Sequence, residues 1–271
     1  MRVQAFAKIN LTLRVLGRRP DGYHELRTVF QSIALHDTLT IRRRAGPLRL
    51  TCDDPTLPCD RTNLVWRAAA AVWTSARRRG RPRDISIHLQ KRIPMQAGLG
   101  GGSSDAAATL RALATLWRVE DERVQEAAAC LGADVPYFLE GGTVLGLERG
   151  DVLYQLRDRA RAWVVLVVPP FGIGTADAYR WWDAHRLGGH PINDLQPPVV
   201  RRHPEIARIA NELSRAGASC AAMSGSGSTV FGLFPTRPAA ARAADSLSRR
   251  SQRAWVTRTL GHAEYQRLAA N

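Results

Sequence analysis

With 271 residues, 45% of them hydrophobic and 23% charged, the chain can hold one large domain or two ordinary ones and is too apolar for a disordered protein. Its formal charge of +15 is almost wholly arginine, dispersed in short groups at 42–44, 77–79, 201–202 and 249–250. That pattern suits a solvated surface, whereas a nucleic-acid groove concentrates charge among stacking aromatics. No run approaches the roughly 18 apolar residues of a membrane span, and the opening residues hold no signal-peptide core. The expectation is a cytoplasmic protein with no membrane and no nucleic-acid partner. A basic nucleic-acid-binding protein stays as a distant alternative, supported by net charge alone.

From the start, Val3, Ala5, Ala7, Ile9, Leu11, Leu13 and Val15 alternate with mostly polar residues, the period of a strand with one face on a core. Lys8 and Asn10 then point the same way, roughly 7 Å apart. Pro20-Asp21-Gly22 is turn chemistry. Strands are expected over 28–34 and 38–42, a helix over 63–75, and a strand over 85–89. A helix over 105–117 carries an apolar stripe of Ala106, Leu110, Leu113 and Trp117. Further on come strands at 143–147 and 163–168, the latter an unbroken apolar run that reads as a central buried strand. Helices follow at 176–184 and 204–216, a strand at 229–234, a helix at 237–249 and a strand at 254–257. A soft boundary near 151–161 divides this α+β chain into domains 1–155 and 156–271. The four cysteines have no paired metal or redox spacing and read as free thiols.

Gly98-Leu99-Gly100-Gly101-Gly102-Ser103-Ser104 directly precedes the 105–117 helix. Glycines let backbone approach a ligand closely, and the helix start supplies unpaired N–H groups and partial positive charge, which together favour phosphate. The two serines add hydroxyl donors. No Lys follows the glycines as a Walker loop requires, and residues 90–97 separate them from the preceding strand, unlike a Rossmann turn. The chain's only lysines are Lys8 and Lys91. Lys91, on the approach to this segment, is a candidate for a nucleotide phosphate.

Asp134, in Gly132-Ala133-Asp134-Val135-Pro136, is either a helix N-cap or a carboxylate that accepts a proton from a substrate hydroxyl, with Lys8 as the cation that holds it ionised. A second small-residue cluster, Ser224-Gly225-Ser226-Gly227-Ser228-Thr229, either braces the first, contacts substrate phosphate, or is a plain turn.

Taken in order, AFAKINLTL, DGYHEL, PMQAGLGGGSSDAAATL, GADVPYF and AMSGSGSTVFGLF resemble the GHMP kinases. AKIN, DGYH and GADVP together resemble the branch that acts on a cytidine-diphosphate-linked methylerythritol. The resemblance implies a two-domain GHMP-kinase fold with the active site in the inter-domain cleft. It also implies ATP-dependent phosphorylation of the 2-hydroxyl of that small-molecule substrate, with Mg2+ accompanying ATP. By the resemblance Lys8 and Asp134 are the catalytic pair. Pro94, Met95, Gln96, Ala97, Gly98, Leu99, Gly100, Gly101, Gly102, Ser103 and Ser104 match the ATP phosphate loop, with Asn63 and Lys91 on the nucleotide side. Asn10, Tyr23 and His24 match positions at the cytidine end, where Tyr179 matches an aromatic that sandwiches the base. The alternative within the family is a homoserine- or mevalonate-type alcohol kinase.

Overall fold

The structure, a computed structural model, describes residues 1–185, 190–248 and 253–270, so Arg249 and Arg250 lie outside the described residues. Its spine is an antiparallel pair, β1 (Arg2–Arg18) and β2 (His24–Pro47), running from Arg18 opposite His24 to Arg2 opposite Thr40. The turn between them closes where Asp21 accepts a 3.1 Å hydrogen bond from the Tyr23 amide. The expected strands at 28–34 and 38–42 are one strand. Residues 35–37 break the apolar alternation, yet β1 continues to pair across them, with Ala5 opposite Asp37 and Phe6 opposite His36.

Around β2 the first sheet takes the order β3 (Arg49–Cys52), β4 (Arg83–Gln90), β2, β5 (Thr143–Glu148), β6 (Val152–Gln155), with β1 paired to β2 as well. Helices α1 (Leu64–Ser75), α2 (Gly101–Trp117), α3 (Asp121–Leu131) and the short α4 (Tyr137–Glu140) belong to this half. Leu39, Ile41, Ile87 and Leu89 of the sheet share one core with Ala68, Val72, Leu110 and Leu113 of the helices. Ala106, Ala107 and Ala108 are all buried, small enough to bring α2 close to its neighbours.

The second sheet takes the order β10 (Arg253–Arg258), β7 (Trp163–Val168), β9 (Val230–Phe234), β8 (Cys220–Met223). β7 lies between two partners and Val164, Val165, Leu166 and Val167 are fully buried, as its unbroken apolar run implied. It packs with α5 (Thr175–His185), α6 (Gln196–Val200), α7 (Glu205–Arg215) and α8 (Arg237–Ser248). On α7, Ile206, Ile209 and Leu213 make the buried stripe. The last helix, α9 (His262–Ala269), returns to the first half: the Tyr265 hydroxyl donates to the Phe138 carbonyl at 2.6 Å, and its ring packs on Phe6.

The two halves meet on β1. Ala7, Ile9 and Leu11 share a buried cluster with Val164, Leu166, Ala222 and Phe231, joined by Ile93 and Ala97 of the approach and Leu99 of the glycine segment. Alternation then leaves Lys8 and Asn10 on the opposite face, which borders a cleft. All four cysteines are free, and no described helix is long and apolar enough to cross a membrane.

Candidate active site

The glycine segment and the start of α2 are one unit. α2 begins at Gly101, inside the glycine run and ahead of the expected residue 105, with Gly100 as its N-cap at φ 71°. A side chain at Gly100 would put its Cβ 2.6 Å from the Phe138 ring, and one at Gly98 would sit 2.0 Å from the Ser224 carbonyl oxygen. Both positions also hold φ values that favour glycine. The close approach has a purpose. The Ser224 hydroxyl donates to the Gly98 carbonyl at 2.9 Å and the Thr229 amide donates to Ala97 at 3.2 Å, so the second small-residue cluster braces the first. Asn193 in turn holds that cluster, donating to the carbonyls of Met223 and Gly225 at 2.7 and 2.8 Å. On the other side the Lys8 amide donates to Leu99 at 3.0 Å. The segment is thus clamped from both halves of the molecule, while the first amides of α2 have no partners within the helix.

Lys8 and Asp134 come together beside it. The Lys8 ammonium, on a residue only 4% exposed, stands 3.7 Å from Asp134 Oδ2. It donates to Asn10 Oδ1 at 2.6 Å and lies 5.3 Å from the centre of the Phe30 ring. Asp134 sits in the turn before α4, which takes no side-chain cap, so the N-cap reading of this residue falls away. Its carboxylate is about one-third exposed and borders the cleft.

Lys91 is held differently. Its ammonium is bonded to Asp37 and, at 2.8 Å, to Asp105 Oδ2, and both carboxylates are buried. Asp37 also accepts from the amides of Arg92 and, at 2.8 Å, Ile93, fixing the bend that leads into the glycine segment. Burial pushes the Asp105 carboxyl up to about 8, with Lys91 opposing and Asp37 adding to the rise. Burial alone would lower the Lys91 pKa, but the two carboxylates outweigh it and the pKa is raised. One cation between two acids therefore favours the protonated form of Asp105.

At the far end are aromatics. His24 stacks on Tyr179 with ring centres 4.6 Å apart and meets Trp182 edge-on at 5.8 Å. Its Nε2 bonds Asp183 Oδ1 at 2.8 Å. Tyr23 is 55% exposed, with the Arg149 guanidinium 5.2 Å from its ring centre. Asn10 is opposite Phe30, six residues along β2 from His24. Its side chain bonds the Lys8 ammonium, while the His24 ring stacks on Tyr179. Asn10 meets Lys8 because residues two apart on a strand share a face.

These groups line one cleft of about 1120 Å³. It has room for two ligands of ordinary size. Residues 63–142 match the GHMP kinases N terminal domain, and 183–252 match GHMP kinases C terminal. A 4-diphosphocytidyl-2-C-methyl-D-erythritol kinase of Pelotomaculum thermopropionicum is 42% identical, covering 94% of this chain and 96% of its own. One from Solibacter usitatus is 45% identical, covering 90% and 84%. A crystal structure of 4-(cytidine 5'-diphospho)-2C-methyl-D-erythritol kinase superimposes with TM-score 0.83 at 36% identity, over 96% of this chain and 100% of that one. This chain belongs to the 4-diphosphocytidyl-2-C-methyl-D-erythritol kinases. Within the GHMP kinases it is thus an ATP-dependent phosphotransferase of the two-domain α+β class.

Against the expectations drawn for this kinase family, Lys8, Asn10, Tyr23, His24, Asn63, Lys91, Asp134, Tyr179 and residues 94–103 all border the cleft. Ser104 does not: its hydroxyl is buried and donates to the Phe6 carbonyl at 2.7 Å, tying α2 to β1. Asn63 has both polar atoms engaged, accepting from the Val65 amide as the cap of α1 and donating to Pro58. Sequence reasoning missed Thr28, Phe30, Asp105 and Asp183. Asp183 carried a usable signal, lying one helical turn after Tyr179 on the same face. Asp37 and Asp105 carried none, since their partner is far away in sequence.

Proposed function

We propose that this chain phosphorylates the 2-hydroxyl of 4-diphosphocytidyl-2-C-methyl-D-erythritol, a step of non-mevalonate isoprenoid precursor synthesis. Bound ATP supplies the phosphoryl group. Asp134 takes the proton of the attacking hydroxyl, and the Lys8 ammonium beside it favours the ionised carboxylate and the developing alkoxide. The unpartnered amides at the start of α2 and the glycine backbone receive phosphate oxygens. Lys91 acts from beneath, holding the bend and α2 together rather than offering a free charge. Among the described residues no group of three His, Cys, Asp or Glu is placed to hold a metal ion. Mg2+ would enter with ATP and offset the charge of the transferring phosphates.

The observation that carries this reading is the Lys8–Asp134 pair beside the braced glycine segment, sharing one cleft with the aromatic rings of Tyr23, His24 and Tyr179. A substrate with a base at one end and an alcohol at the other suits such a cleft. The shorter homoserine and mevalonate have nothing to place on His24, Tyr23 and Tyr179. Coupled measurement of ADP release over a panel of alcohols tests it. The cytidine-diphosphate-linked alcohol should be turned over with the highest kcat/KM. Asp134→Asn should lower kcat by about 10²–10⁴-fold while ATP still binds. Wild-type turnover by that variant, or a preference for homoserine or mevalonate, would overturn the proposal.

A further inference from the structure

The two buried side chains behind the Lys8 ammonium, Asn10 and Thr28, form a chain in which every donor and acceptor is forced. The Thr12 backbone oxygen can only accept, so the Thr28 hydroxyl, 2.7 Å away, commits its one hydrogen there. The Thr28 oxygen is then left as an acceptor toward the Asn10 amide at 2.7 Å, and the group facing it must be the NH2. The two ends of an Asn side chain are nearly identical in shape, and only such a network decides between them. With Nδ2 fixed on Thr28, Oδ1 is presented to the Lys8 ammonium at 2.6 Å. Lys8, Asn10 and Thr28 are 4%, 1% and 1% exposed, so water does not stand in for a missing partner. The β1–β2 ladder slips between Asn10 and Thr12, and at that slip Thr28 meets the Thr12 carbonyl.

We propose that Thr28 is a positioning residue for Lys8, acting through the orientation of the Asn10 amide. The inference rests on the reading that Lys8 serves phosphoryl transfer. Without the Thr28 oxygen, the Asn10 NH2 is buried with no acceptor. Turning the amide over relieves Thr28's side but aims two N–H donors at an ammonium. Lys8 then leaves its place 3.7 Å from Asp134. Thr28 touches neither substrate nor phosphate in this scheme.

Thr28→Val keeps the shape and removes the acceptor. Its kcat should fall about 10- to 100-fold, the cost of displacing a reacting group by about an ångström, with KM for ATP unchanged. Thr28→Ser, which keeps the hydroxyl, should restore kcat. In an Asn10→Asp background, where both side-chain ends accept, the further cost of Thr28→Val should largely vanish. If Thr28→Val does not fold, Thr28→Cys, whose thiol is a poor acceptor, carries the same expectation. Wild-type kcat in Thr28→Val, or equal losses in the Val and Ser variants, would overturn the inference. Lys8→Met separates the two levels. Full activity in Lys8→Met overturns the reading of Lys8 and this inference with it, whereas an inactive Lys8→Met beside a fully active Thr28→Val overturns the inference alone.

Discussion

Two lysines are all this chain has, and both are buried at the same cleft, yet their surroundings differ in kind. Lys91 is enclosed by two buried carboxylates, bonded at contact distance to each, so its charge is fully matched within the protein. Lys8 has a neutral amide, an aromatic face and one carboxylate at 3.7 Å that is itself a third exposed. The first arrangement engages the ammonium with the protein and fastens β2, the approach bend and α2 to one another. The second leaves positive charge incompletely compensated beside an acid that borders the cleft. Neutralisation makes a rivet; partial neutralisation makes a reactive site.

The sharpest test is to remove the rivet. Lys91→Met leaves two buried acids without their cation and should cost about 3–5 kcal/mol of stability, read from denaturant unfolding. The comparison breaks if that variant keeps its unfolding midpoint and loses turnover instead. Lys8→Met should do the reverse, lowering kcat by about 10²–10³-fold while thermal stability stays near wild type. A smaller effect sharpens the picture of the triad. Asp105, pushed up to about 8 from the ordinary carboxylate value, favours the protonated form in the fold. Its contribution to stability is therefore complete below the unfolded-state pKa near 4 and is lost as pH rises through about 8. The melting temperature of the wild type should fall over that window, and Asp105→Asn, which is neutral throughout, should flatten the fall. An equally steep profile in the variant would mean that Asp105 is already ionised.

Much of this was legible from residue order. The alternation of Val3 to Val15 announced a strand, and its polar face, Lys8 with Asn10, turned out to border the cleft. The glycine segment announced backbone brought close to something, because glycine is chosen for reasons that act within a few residues. Asp134 kept two meanings until the structure showed that it caps no helix. The bond from Lys8 to Asn10 was not spelled out by the motif, since a motif gives order along the chain but not the contacts its side chains make. The unity of β2 was equally hidden: its middle residues are poor strand formers, and only continued pairing with β1 carries the strand through them.

Sequence alone determined the class of chemistry, because turns, helix starts and strand faces are set by neighbours a few residues apart, and the motifs lie in such neighbourhoods. Tertiary structure alone decided which charges are spent inside the protein and which face a ligand. Lys91 meets Asp37 across 54 residues and Ser224 meets Gly98 across 126, and no local preference encodes a partner at that separation. Burial then sets the energetic stakes, since the same ammonium is a fastener among buried acids and a catalytic candidate beside an exposed one.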